Sequence, residues 1–159
     1  MISAIACVSR NGVIGKNNRM LWSIREDMQL FKEHTIGKAV VMGSKTYRSI
    51  GQPLENRRNL VLSKTTTHIS GCEVFNNIED IISLGYRETV VIGGETVYEQ
   101  FMPYVQRMYL SILSKSYKGN VHFPDSKASW RVDYSVVKRC VERINNEELW
   151  LKFFILTKR

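Results

Sequence analysis

The stretch TVVIGGETVYEQF, Thr89 to Phe101, decides the fold. Thr89, Val90, Val91 and Ile92 are β-branched and read as a buried strand, Gly93-Gly94 ends it, and Glu95 and Thr96 open a helical pattern that carries Tyr98. The same device stands twice more upstream. In KAVVMGSKTYRSI (38–50) the strand Ala39 to Met42 stops at Gly43, and Ser44, Lys45 and Thr46 start a helix. In NLVLSKT (59–65) a strand that includes Leu62 stops at Ser63, with Lys64 beyond it. Working outward, short apolar runs predict strands at 2–8, 39–43, 59–63, 73–75 and 89–92. Longer alternating stretches near 107–114, 132–141 and 149–157 add three more, and helical patterns fall at 24–35, 44–50, 77–84 and 96–102. Strands that alternate with helices imply a parallel sheet covered on both faces, whereas the last two strands, joined by the polar turn Arg143 to Glu148, read as an antiparallel hairpin. Pro53, Pro103 and Pro124 fall between periodic segments, and no linker or repeat divides the chain. The expectation is one α/β domain over residues 1–159, with a mixed, mainly parallel sheet and a C-terminal hairpin.

Composition narrows the function. A chain of 159 residues that is 43% hydrophobic can build a core without disulfides or a structural metal. Its longest apolar run, Ala4 to Val8, is far too short to span a membrane, and no basic segment precedes it as in a secretory signal. The net charge of +8 suits an anionic partner: nucleic acid, a phosphorylated cofactor or a carboxylate substrate. Lys and Arg are scattered from Arg10 to Arg159 in nothing longer than pairs, a pattern that disfavours a nucleic-acid groove. Cys7, Cys72 and Cys140 lack ligand spacing, as do His34, His68 and His122, so the expectation is a reduced, cytoplasmic protein without a metal. Cys7 reads as a small hydrophobe in the first strand, and His122 as a turn or strand residue.

Two features carry chemistry. WSIREDMQLFKEHT (22–35) has Ser23 and Glu26 at capping-box spacing, which predicts the start of a helix there. On that helix Ile24, Met28, Leu30 and Phe31 form an apolar arc, and Asp27 falls inside it. A carboxylate facing a core needs a partner. Asp27 is then either a first-turn acid favoured by the helix dipole or a carboxylate awaiting a cationic or N–H-rich ligand. The second feature is the set of three strand ends, where glycines, helix starts, hydroxyls and lysines favour phosphate. Together they point to a dinucleotide, although no G-x-G-x-x-G is present.

The motifs taken together resemble those of bacterial dihydrofolate reductase over the whole chain. They are ISAIA (2–6), NGVIG (11–15), the loop end from Met20 to Trp22, the Asp27 helix, VVMGSKTYRSIG (40–51), Pro53-Leu54, Arg57 followed by Asn59, VLS (61–63), VIGGETVYEQF (91–101) and G-x-V-H-F-P (119–124). The resemblance implies NADPH-dependent hydride transfer to C6 of the pterin in 7,8-dihydrofolate, with protonation at N5, giving tetrahydrofolate. By the same resemblance Asp27 is the single acidic group and accepts hydrogen bonds from the 2-amino group and N3 of the pterin. Ile5, Met28, Phe31, Ile50, Leu54 and Ile92 form apolar walls, Ser111 joins the substrate contacts, and Arg57 clamps the glutamate α-carboxylate. Gly43, Ser44, Lys45, Thr46, Leu62, Ser63, Lys64, Gly93, Gly94, Glu95, Thr96 and Tyr98 fall on the cofactor contacts, with Ile14 and Met20 in a mobile loop over the nicotinamide. Antifolates as ligands and a monomeric state are implied likewise.

The chain departs from the family at several positions. Ser44 and Thr96 stand where relatives carry Arg, which leaves the 2′-phosphate to Lys64 with Lys45. Leu21 replaces a Pro before Trp22. Asn120 replaces an acidic residue that tethers the loop, so the segment Asn11 to Trp22, with its Lys16-Asn17-Asn18 run, is expected to be loosely held. Two other readings remain at this point: a related pterin or aminopyrimidine reductase, which need not have the Asp27 and Arg57 pair, and a basic nucleic-acid-binding module on the same fold.

Overall fold

The computed structural model describes residues 1–17, 19–125 and 128–159; Asn18 of the expected loop lies outside them. Eight strands form one sheet in the spatial order β5 (Glu73–Phe75), β4 (Arg58–Leu62), β3 (Ala39–Gly43), β6 (Thr89–Gly93), β1 (Ile2–Val8), β7 (Val105–Leu113), β10 (Glu147–Lys158) and β9 (Trp130–Glu142). Neighbours from β5 through β7 run parallel, and the hairpin of β9 and β10 adds antiparallel to β7. The expected class therefore holds. A second, two-stranded ladder of β2 (Val13–Gly15) and β8 (Val121–His122) lay below the reach of the apolar pattern, because each strand is too short to show a period.

Alternation along the buried strands divides the core between the two faces. Ile5, Val40, Met42, Val61 and Val90 pack with Trp22, Ile24 and Leu30 on one face, the last from helix α1 (Arg25–Thr35). Ala4, Val41, Leu60 and Val91 pack on the other with Ile81 of α3 (Ile78–Ile82) and Val97, Tyr98 and Phe101 of α4 (Glu95–Phe101). Helix α2 (Ser44–Ile50) follows β3 directly, and its Tyr47 joins the first cluster.

The start of α1 differs from the expected capping box. Its N-cap is Ile24, without a side-chain cap. Ser23 instead gives its backbone N–H to Glu142 Oε1 at 3.0 Å, from the far end of β9. Glu142 is fully buried and also accepts the N–H groups of Ile144 and Asn145, each at 2.9 Å. A long-range carboxylate has taken the part that the local spacing assigned to Glu26, accepting the Ser23 N–H, and Glu26 faces Cys140 on β9 instead.

Candidate active site

Register brings the three expected strand ends together. Gly43 pairs with Leu62 across β3 and β4, and Met42 with Gly93 across β3 and β6, so Gly43, Ser63 and Gly93 end adjacent strands on one edge. The glycines are required by packing as well as by the turn. A Cβ on Gly43 would sit 3.1 Å from Val97 Cγ2, and Gly93 has φ +128°, a conformation that other residues rarely adopt. The helices that follow, α2 and α4, have Gly43 and Gly94 as N-caps with no side-chain cap, leaving their first N–H groups open to a ligand. Thr46 lies against the Gly93-Gly94 turn, Lys45, Lys64 and Thr96 are exposed, and Ser44 and Glu95 are half-buried. Ser63 is buried, and its Oγ accepts the N–H of Thr66 at 3.1 Å, which folds the chain back after β4. Tyr98 differs from its neighbours: it is buried, and its hydroxyl donates to the Ile5 carbonyl at 2.6 Å, bracing β1 from below.

The expected substrate residues gather on the opposite face. Ile5, Phe31, Leu54 and Ile92 all pack into the cluster around Trp22. Ser111 is buried on β7 opposite Cys7, whereas Met28 and Ile50 are exposed. Asp27 is the chemically distinctive group. Burial of its carboxyl raises its pKa from 3.8 to about 6, only partly opposed by a hydrogen bond from the Cys7 thiol. No cation among the described residues pairs with it, so the site holds a carboxylate in need of donors.

Arg57 is held at the other end of α1. Its Nε donates to the Glu55 carbonyl at 2.9 Å and its Nη1 to Thr35 Oγ1 at 3.0 Å, which leaves the rest of the guanidinium fork open. Asn59 sets this loop: its side chain accepts from Leu54 N–H and donates to the carbonyls of Leu54 and Arg57. Asn59 entered the sequence reading as part of a motif and without a role. Thr35 ends the quoted stretch 22–35 without a role and Glu142 is outside the motifs, because their partners are distant in the chain.

The segment Asn11 to Trp22 is better anchored than expected. Asn17 N–H donates to Asn120 Oδ1 at 3.0 Å, and Asn120 Nδ2 returns a bond to Asn17 Oδ1 at 3.2 Å. Asn11 bridges both backbone groups of Tyr117, and the β2–β8 ladder carries half-buried Ile14. Met20 lies beyond these tethers and is exposed.

An edge of glycine turns and open helix starts suits a phosphorylated dinucleotide, and a carboxylate held out of water suits a flat, N–H-rich substrate; the class they define is a nicotinamide-dependent oxidoreductase. The chain belongs to the dihydrofolate reductase family, whose model matches residues 1–157. It is 36% identical to the dihydrofolate reductase of Bacillus subtilis over 83% of this chain and 81% of that one. It is 31% identical to that of Haemophilus influenzae over 99% and 98% of the two chains. Dihydrofolate reductase from Enterococcus faecalis, in a complex with NADP(H) and RAB-propyl, superposes with a TM-score of 0.88 at 26% identity, covering 100% of this chain and 96% of that one.

Proposed function

We propose that Asp27 is the acidic group of an NADPH-dependent reduction of 7,8-dihydrofolate to tetrahydrofolate, carried by the whole chain as one catalytic domain. The observation that carries this reading is the buried Asp27 carboxyl, raised to about 6 with no cation among the described residues to pair it, on a face lined by Ile5, Phe31, Leu54 and Ile92. The 2-amino group and N3 of a pterin supply two coplanar N–H donors to such an oxygen pair. A carboxyl that titrates near 6 also keeps a proton in reserve close to neutral pH, the range in which N5 must be protonated. Arg57, braced by Thr35 and Glu55, directs its remaining donors to the glutamate α-carboxylate.

NADPH, when bound, supplies the hydride for C6. The open N–H groups at the starts of α2 and α4 and the turn at Gly93-Gly94 fit its phosphates. Lys64, with Lys45, supplies the charge for the 2′-phosphate, since Ser44 and Thr96 offer none. Ile14 and Met20 cover the nicotinamide side. In this reading the protein acts as a cytoplasmic monomer, takes antifolates in the pterin site and does not bind nucleic acid. Three free cysteines accord with a reduced compartment, and no helix among the described residues is long and apolar enough to cross a membrane.

The test is direct. NADPH and dihydrofolate are mixed with the protein, and absorbance at the nicotinamide band is followed. Steady loss that requires both compounds is the expected result, and its absence at every pH between 5 and 8 overturns the reading.

A further inference from the structure

One residue of the loop after β7 touches both ends of the segment Asn11 to Trp22. At the start, Asn11 Oδ1 accepts the Tyr117 N–H at 3.1 Å, and Asn11 Nδ2 donates to the Tyr117 carbonyl at 2.8 Å. At the end, the Trp22 ring lies 5.0 Å from the Tyr117 ring with the planes tilted by 53°, and Trp22 is only 3% exposed. An aromatic pair at that separation contributes beyond the area it buries. Both partners are themselves held by the turn between β9 and β10. Lys115 places its ammonium 5.0 Å from the centre of the Tyr117 ring and pairs it with Glu147, while its carbonyl accepts the Arg10 N–H at 3.0 Å. Next to Trp22, Ser23 gives its N–H to Glu142 and accepts the Arg143 N–H at 2.9 Å.

We propose that Tyr117 is a positioning residue for the segment that covers the nicotinamide side: its backbone pins Asn11 and its ring pins Trp22, so the stretch carrying Ile14 and Met20 is closed at both ends on one loop. This rests on the reading of Ile14 and Met20 given above. Fixing the ends of a stretch of chain removes conformations from everything between them. Asn120 and the β2–β8 ladder hold the middle of the segment, whereas exposed Met20 stands beyond them and two residues before Trp22, so its position follows that of the Trp22 ring. The ring of Tyr117 carries this role and the hydroxyl does not. Tyr117 Oη is buried without a hydrogen-bond partner among the described residues, and an unsatisfied buried hydroxyl costs stability rather than adding to it.

Tyr117→Leu releases the Trp22 end and keeps the backbone tie to Asn11, whereas Tyr117→Phe keeps both. NADPH dissociation in stopped flow is expected to speed up about fivefold in Tyr117→Leu, within the range an aromatic pair accounts for, and to stay with the wild type in Tyr117→Phe. Acrylamide quenching of Trp22 fluorescence in ligand-free protein, assigned by difference from Trp22→Phe, should rise in Tyr117→Leu alone. A Tyr117 that merely fills space lowers the melting temperature of Tyr117→Leu and leaves both readings unmoved, which overturns the proposal. Equal effects in the two variants assign the role to the hydroxyl and overturn it as well. If Tyr117→Leu does not fold, Asn11→Ala releases the other end, and an unchanged NADPH dissociation rate there overturns the pinning. Should wild-type protein bind no NADPH, the functional reading falls by itself, and the Trp22 quenching still decides whether Tyr117 holds that ring.

Discussion

Asp27 and Glu142 are two carboxylates at opposite ends of one short path, the first on α1 and the second anchoring the residue from which α1 departs, yet they are treated in opposite ways. Glu142 is fully buried, which by itself would raise it, but the N–H groups of Asn145, Ser23 and Ile144 outweigh burial and hold it below the ordinary carboxylate range. Asp27 is less buried as a residue and is nevertheless raised to about 6, because burial of its carboxyl outweighs the hydrogen bonding that opposes it. In the proposed reading the difference separates a structural acid from a functional one. The fold completes the hydrogen bonding of the first and leaves the second with acceptor capacity that its burial makes costly.

Asp27→Asn tests the comparison most strongly. Turnover of dihydrofolate is expected to fall by roughly 10²–10⁴-fold, with partial recovery at low pH. Stability moves the other way. A carboxyl whose folded pKa is raised from 3.8 to about 6 stabilises the native state relative to neutral pH only while it is protonated, and that contribution is lost as pH rises through 6. Asparagine should thus raise the unfolding free energy above pH 6 by up to about 3 kcal/mol and change it little below pH 4, as read by urea denaturation. A destabilised variant at pH 7 would break the contrast.

Glu142→Ala should give the mirror image. Three backbone N–H groups lose their acceptor, at a cost of about 3 kcal/mol, and the helix start that carries Asp27 loosens with them. Since the folded pKa of Glu142 is depressed, its contribution is present above the ordinary carboxylate range and lost as pH falls. The penalty in the variant should accordingly shrink on acidification, whereas a penalty independent of pH would assign it to packing.

Arg57 sharpens the comparison as an intermediate case, with Nε and Nη1 satisfied by the fold and the rest open. Arg57→Lys should raise KM for dihydrofolate about tenfold with a smaller change in kcat, because an ammonium cannot serve Thr35 and a carboxylate in one plane. A pterin lacking the glutamate should be indifferent to the change. Asn120 is the satisfied extreme, bonded to Asn17 in both directions. Asn120→Asp gains charge on one bond and loses the donor of the other, so NADPH dissociation in stopped flow should slow by only about twofold. A tenfold change would mean that this pair holds the loop alone, without Asn11 and the β2–β8 ladder.

Most of the edge at Gly43, Ser63 and Gly93 is legible in the sequence, because strand, glycine and helix start are consecutive in the chain and each imposes its own backbone chemistry. Asp27 was legible for a related reason: a charged residue inside an apolar arc is a local contradiction. The capping box was misread because Ser23 and Glu26 satisfy a spacing rule that cannot sense a competing acceptor 119 residues away. The loop was judged loose because its own residues are polar and glycine-containing, whereas its tethers, Tyr117 and Asn120, come from the segment after β7.

By itself, then, the sequence determined what short-range physics determines: where strands stop, where helices begin, and that one carboxylate sat among apolar neighbours. Tertiary structure alone decided which groups would be satisfied. Glu142 reaches Ser23, Thr35 braces Arg57, and Tyr117 meets Trp22 only because the sheet order and the register of β1, β7, β9 and β10 bring distant segments to one place. Donors and acceptors are paired by position in space, and no local spacing encodes that position.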